Sequence, residues 1–85
     1  GTLRLLAVKE SRPNGYLRLQ IGFQNLVDGD QYLEFEVHYF DATGLPITET
    51  SGWKPLSVSG RSVGYASVTS IRREAATYKV HMVYK

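Results

Sequence analysis

The sequence contains no cysteine among its 85 residues. This absence excludes disulfides, thiol catalysis and thiolate metal sites within the chain. The sequence also lacks any apolar run that approaches the roughly 20 residues needed to cross a bilayer as a helix. No secretion signal is present and the chain begins at Gly1, so we expect it to be a processed or trimmed product whose targeting segment has been removed.

Neither sign of charge dominates the chain, since the formal net charge is +2 and acidic and basic residues are mixed along it. Nucleic-acid binding usually requires a concentrated basic face, because affinity comes from displacing counterions on phosphates. The one local cluster, Arg72 and Arg73 with Lys79 further on, is better explained as a solvated loop and strand face. We therefore predict no nucleic-acid partner. The apolar fraction of 42% indicates a folded chain, and we expect one domain over residues 1–85.

Long helical periodicity is missing as well, and alternation with period two takes its place. The clearest example is the strand that begins at Gln31, whose apolar face consists of Leu33, Phe35, Val37 and Tyr39 and whose polar face consists of Glu34, Glu36 and His38. Asp41 and Gly44 then end the strand in a turn, because the aspartate can bond its own backbone and the glycine accepts a positive φ.

Six further segments have an extended pattern and are separated by turn signals. Together with the strand described above, the predicted strands cover residues 3–9, 16–26, 31–40, 45–50, 53–58, 62–69 and 77–84. Pro46 cannot donate to a ladder, so its strand is predicted at a sheet edge. Residues 70–76 are predicted to form a loop with at most one helical turn. The pattern is typical of an all-β, antiparallel β-sandwich of about seven strands.

Four features follow one another from residue 33 onward. They are a strand that ends in Tyr39-Phe40-Asp41-Ala42-Thr43-Gly44, the segment Trp53-Lys54-Pro55-Leu56, a turn at Gly60, and a final strand with Tyr78, Val80 and Met82. In this order they resemble the YcfL-like family of bacterial periplasmic lipoproteins, a domain of unknown function. The resemblance implies an immunoglobulin-like sandwich, held to an envelope membrane by a lipidated cysteine upstream of Gly1. Its motif residues, Asp41, Gly44, Trp53 and Gly60, are structural, and no catalytic residue carries over.

Two patterns resemble catalytic motifs. Residues 60–64 match the G-x-S-x-G nucleophile elbow, in which a strand turns sharply into a helix and exposes the serine. The residues after Ser62 have a strand pattern, so we predict instead a glycine turn that enters a strand. Glu34 and Glu36 are predicted on an exposed face that provides little of the desolvation needed for acid/base chemistry. We predict no catalytic residue, no cofactor and no enzymatic activity.

A metal site is the next alternative, because two histidines and one carboxylate form a familiar ligand set for metals. Glu36 and His38 lie on the same predicted face, and His81 could join them if the two strands lie in one sheet. We expect a third strand to separate them, and each histidine to be solvated or paired with Glu34 or Glu36. No metal ligand is therefore predicted.

Trp53 has two interpretations. The favoured one places it in the core, where it would plug one end of the sandwich, because buried aromatic residues are the default in small β domains. In the alternative, Trp53 forms an aromatic platform with Tyr16, Tyr32 or Tyr65 that binds a glycan or a peptide.

The sequence thus favours a non-enzymatic domain of the cell envelope, located in the periplasm and lipid-anchored to the outer membrane through a segment outside this chain. It would contact an envelope protein or a cell-wall component, with exposed strand edges as contact surfaces that could also pair two copies into a homodimer. The alternative is a module that binds carbohydrate or a cell-wall polymer through a platform around Trp53.

Overall fold

The computed structural model describes residues 3–84, which form seven strands and a single 3₁₀ turn at Pro13–Gly15. The strands are β1 (Leu3–Ser11), β2 (Arg18–Asn25), β3 (Gln31–Phe40), β4 (Pro46–Thr50), β5 (Lys54–Val58), β6 (Val63–Thr69) and β7 (Thr77–Tyr84). They pair into two antiparallel sheets that pack as a sandwich. The predicted fold class, an immunoglobulin-like antiparallel β-sandwich of about seven strands, is confirmed.

Sheet A contains β1, β2 and β6, with β2 in the centre. Sheet B is organised around β3, which pairs with β7 along one edge and with both β4 and β5 along the other. The strand with Pro46 lies at a sheet edge as predicted. Proline has no backbone N–H to donate, which an edge strand tolerates because one of its sides is unpaired. Residues 70–76 form a loop without a helix, which also agrees with the prediction. Within residues 3–84, no helix has the length and apolar character that crossing a membrane would require.

The core lies between β2 and β3, whose alternating apolar side chains face each other. Its central residues are Leu17, Leu19, Ile21 and Phe23 from one chain segment and Leu33, Phe35, Val37 and Tyr39 from the other. The rings of Phe23 and Phe35 lie with their centroids 5.9 Å apart. Burying each large apolar side chain contributes about 1.5–3 kcal/mol, so this double row supplies most of the stabilisation. The inward faces predicted for both strands are confirmed.

The turn after β3 has the structure that its sequence predicts. The Asp41 carboxylate accepts hydrogen bonds from the backbone N–H groups of Thr43 and Leu45, and from the Thr43 hydroxyl at 2.6 Å. These bonds, led by the one from the Thr43 hydroxyl, lower the pKa of Asp41. Gly44 adopts a φ of 89°, which a residue with a Cβ atom rarely does.

The opposite end of the sandwich is held by Asn25, a residue for which the sequence gives no signal. Its side chain is buried, and its amide nitrogen lies 2.8–3.1 Å from the carbonyl oxygens of Gly29, Val58 and Ser59, which share its two N–H donors. Its side-chain oxygen accepts the backbone N–H of Val27. The Asn25 side chain therefore ties the β2–β3 loop to the end of β5.

Trp53 does not plug the core, so the favoured interpretation of this residue is wrong. The side chain is 49% exposed. Gly52, with a φ of 72°, turns the chain just before it, and Trp53 precedes the first paired residue of β5 at the edge of sheet B. No strand lies beyond that edge in the described part of the chain, and the large aromatic residues of the core are Phe23, Phe35 and Tyr39.

The close packing at the end of the sandwich that Asn25 holds can be tested at Gly60. A Cβ atom at Gly60 would overlap the backbone carbonyl of Asp28, which a rotamer change cannot relieve. We expect Gly60→Ala to lower the free energy of unfolding by more than about 2 kcal/mol in denaturant titrations. Gly29→Ala is the matched control, because a Cβ atom there meets nothing within 4 Å. Equal stability of the two variants would contradict this account of the turn.

Candidate functional site

The outer face of sheet A is the candidate site, and cross-strand register determines which residues it presents. Tyr65 of β6 lies opposite Gly22 of β2, and Gly22 lies opposite Ala7 of β1. Because Ile21 and Phe23 on either side of Gly22 face the core, this row of three faces outward. It crosses the middle of the sheet.

Apolar side chains are exposed around this row. Tyr65 is 64% exposed, and Leu6 and Val63 are exposed beside it. Leu6 reaches this face because the register shifts between Leu5 and Ala7, which makes it the extra residue of a β-bulge. A group of exposed apolar residues on one face is a common mark of a contact surface.

Gly22 sets the position of the Tyr65 ring. A Cβ atom on Gly22 would lie 3.2 Å from Cε1 and 3.5 Å from Cδ1 of Tyr65. The edge of the ring therefore rests directly above the glycine backbone. Any larger residue at position 22 would push the ring outward.

Two adjoining cavities form a shallow depression across this face, which we call the sheet A trough. One, of about 250 Å³, is bounded by Leu6 and Tyr65. The other, of about 370 Å³, is bounded by Arg18 and Ser67. Lys9 and Gln20 line both cavities, so the trough is continuous.

The two sheets differ in charge. The strands of sheet A contain Arg4, Lys9 and Arg18 and a single carboxylate, Glu10. Register places the three cations on the outer face, whereas Glu10 lies opposite the core residue Leu19. The strands of sheet B contain three carboxylates, at Glu34, Glu36 and Glu49, and two lysines. Register places Glu34, Glu36 and Lys79 on the outer face of sheet B, whereas Glu49 lies on its inner side. The cationic face of sheet A thus lies opposite a face with two carboxylates and one lysine.

The predicted platform of Trp53, Tyr32 and Tyr65 is not assembled. Tyr65 lies on the outer face of sheet A, whereas Tyr32 alternates with the core residues of β3 and lies on the outer face of sheet B. Trp53 precedes Lys54, which pairs with Phe35 about 10 Å along the strand from Tyr32. One flat ligand cannot contact all three, because the core separates the two faces.

The histidines are closer than predicted, and the expected third strand between them is wrong. β3 and β7 pair directly, with Glu36 opposite His81. The rings of His38 and His81 have centroids 4.6 Å apart, and Nε2 of His38 lies 2.7 Å from Oε1 of Glu36. The pairing of a histidine with Glu36 is confirmed. Among the described residues, no group of three or more His, Cys, Asp or Glu side chains is arranged to hold a metal ion.

Ser62 lies in a turn that leads into β6, as predicted, and no helix follows it. Its hydroxyl donates to the carbonyl oxygen of Gly60 at 3.2 Å. A nucleophile elbow depends on the strand-to-helix turn, which this segment does not make.

The two arginines of the predicted basic cluster, Arg72 and Arg73, make contacts with neighbouring side chains. Nε of Arg72 lies 2.6 Å from the Glu74 carboxylate. The guanidinium of Arg73 lies 4.7 Å from the ring centroid of Tyr16, a cation–π contact that ties the loop to the turn before β2.

The strand edges differ in how open they are. β1 is interrupted by its bulge, and β4 and β5 each contain a proline, all of which hinder pairing with another chain. β7 pairs with β3 alone within residues 3–84, and it contains neither a proline nor a register shift. The edge strand β6 of sheet A likewise contains neither a proline nor a register shift. The homodimer through strand edges stays a prediction, and β6 and β7 are the edges that suit it.

Tyr39 is the buried polar group that stands out in the core. It is 1% exposed, and its hydroxyl is buried without a hydrogen-bond partner in the described structure. Burial, together with the charge of Glu49, raises its pKa to about 12. The neutral phenol is therefore the form that the fold accommodates.

Comparisons with known proteins agree with the fold. Residues 1–83 match a family model described as "Protein of unknown function (DUF1425)". A crystal structure of a DUF1425 family member from Shewanella superimposes with a TM-score of 0.84 at 20% identity, covering 95% of this chain and 76% of that one. The Campylobacter jejuni protein Cj0090 gives a TM-score of 0.82 at 12% identity, covering 95% of this chain and 85% of that one. No curated protein sequence matches the chain.

Tyr39→Phe tests the unpartnered hydroxyl. At neutral pH we expect unchanged stability or a gain of up to about 1 kcal/mol, because the variant removes a buried group that makes no hydrogen bond. As the pH rises from 10 towards 12, the unfolded wild-type phenol loses its proton while the folded one keeps it, so wild-type stability falls. The variant lacks this loss, which amounts to about 1.4 kcal/mol per pH unit.

Urea titrations at neutral pH and between pH 10 and 12 give both quantities. Tyr32→Phe, which removes an exposed hydroxyl, is the control and should follow the wild type. A Tyr39→Phe variant that is less stable by 1 kcal/mol or more at neutral pH would show that the hydroxyl has a partner.

Proposed function

This chain belongs to the DUF1425 family of proteins of unknown function, and we propose that it is a non-catalytic binding domain of the bacterial cell envelope. Its contact surface is the outer face of sheet A. The partner is an envelope protein or a cell-wall component. The domain acts from the periplasm, lipid-anchored to the outer membrane by a segment outside this chain.

The observation that carries the proposal is the composition of that outer face. Leu6, Val63 and Tyr65 are exposed together at its centre, and Arg4, Lys9 and Arg18 border them. Exposed apolar residues cost free energy in water, and covering them with a partner recovers it. The bordering cations would orient the partner and speed its approach.

Envelope location is supported by the likeness to YcfL-like lipoproteins that the motifs from residue 33 onward carry. The aromatic residues of these motifs divide between the core, for Tyr39, and the sheet B edge, for Trp53. Neither lies on the outer face of sheet A, so the contact surface is free to differ among proteins with this fold.

The proposal predicts that the purified domain co-sediments with an isolated envelope fraction. Replacing Leu6 and Tyr65 together with serine should reduce the bound fraction by about tenfold, because the centre of the contact would be lost. The matched control replaces Tyr32 and Val83 with serine, since both are exposed on the outer face of sheet B. All four side chains are exposed, so thermal unfolding should show folded variants.

Equal retention of the two double variants would contradict the placement of the contact surface. Failure of the wild-type domain to sediment with any envelope fraction would contradict the proposal as a whole.

A further inference from the structure

The sheet A trough has two chemically different ends. At one end the Tyr65 ring lies over Gly22 with most of its surface exposed. An aromatic ring supported by a sheet offers a flat apolar surface and a polar hydroxyl, which suits a ligand that is apolar on one face and polar at its edges. The ring carbons of a sugar present such a face.

The other end is polar and cationic. Lys9 and Arg18 provide charged donors, and Gln20 and Ser67 provide an amide and a hydroxyl that both donate and accept hydrogen bonds. Lys9 lies opposite Gln20 and Ser67 lies on the other side of Gln20, so these three form a second row across the sheet. Hydroxyl groups of a ligand would find donors and acceptors in this row.

Glu10 also lines this cavity but does not cancel the cations. It lies in register with Leu19, on the inner side of the edge strand, and its charge helps burial to raise the pKa of Tyr78 on sheet B. One carboxylate offsets only one of the two cations, Lys9 and Arg18, so the lining of the trough keeps a net positive charge.

We propose that the sheet A trough binds an anionic polysaccharide, with a sugar ring against Tyr65 and an acidic substituent beside Lys9 and Arg18. Tyr65 and Lys9 lie two strands and two residues apart, or about 12 Å between Cα atoms, so the ligand must be longer than one sugar. This inference rests on the proposed contact face and specifies the class of its partner.

Two other anionic partners fit the same face less well. Single-stranded nucleic acid is bound by several aromatic side chains in succession along a basic groove, whereas this face has one aromatic residue and three cations. A membrane surface would favour cations that project towards it, whereas Lys9 and Arg18 line a depression. Both become outcomes of the test.

The test is isothermal titration calorimetry of the full chain with an oligogalacturonate, and with its methyl ester as the uncharged ligand of the same backbone. We expect the oligogalacturonate to bind and the methyl ester to bind at least about tenfold more weakly. Affinity should fall as salt rises, because exposed charges are screened. Tyr65→Ala and Lys9→Glu should each weaken binding by about tenfold or more.

Two control variants have the same chemistry on the opposite face. Tyr32→Ala and Lys79→Glu alter exposed residues of sheet B and should bind like the wild type. Gly22→Ala, which displaces the Tyr65 ring, should weaken binding with the tyrosine still present.

The inference is overturned if Tyr65→Ala and Tyr32→Ala bind equally, or if the methyl ester binds as tightly as the acid. It is also overturned if the chain does not bind the oligogalacturonate and binds only an oligothymidylate or vesicles of phosphatidylglycerol. If the envelope sedimentation succeeds while the oligogalacturonate fails, the contact face stands and the class of its partner is wrong.

Discussion

The pairing of β3 with its neighbours is the constraint on which the rest of the structure depends. β3 bonds to β7 over Leu33 to Phe40 and divides its other edge between β4 and β5, so it holds sheet B together. Its register is determined by hydrophobic alternation, because a slip of one residue would turn Phe35 and Val37 outward and bury Glu34 and Glu36 in the core. The packing of Phe35 against Phe23 then fixes sheet B on sheet A.

The outer faces follow from this arrangement. Once alternate residues of β2 are committed to the core, Gly22 and Gln20 must face outward, and register brings Tyr65 and Lys9 beside them. The absence of a side chain at Gly22 lets an aromatic ring approach the backbone. The bulge in β1 adds Leu6 to the same face and also interrupts an otherwise open edge. One irregularity thus contributes to the proposed contact surface and also hinders pairing at the edge.

Local patterns predicted local structure well. The period-two alternation of β3 and the bonds of Asp41 both depend on residues close in sequence, and both are found as expected. Contacts between distant segments were predicted poorly. The residue type of Trp53 predicts a core position, but its place ahead of an edge strand leaves it half exposed. The sequence predicts a third strand between the histidines, whereas β3 and β7, although far apart in the chain, are neighbours in the sheet.

By itself, the sequence determined the all-β class, the extent of the strands, the side of β2 and β3 that is buried, and the turn at Asp41. Each of these depends on the alternation of side chains or on backbone preferences within a few residues. Only the tertiary structure decided that Tyr65, Gly22 and Lys9 share a face, that Tyr32 lies on the opposite one, and that Asn25 joins two loops. Those relations depend on strand order and register, which arise from packing between segments far apart in the chain.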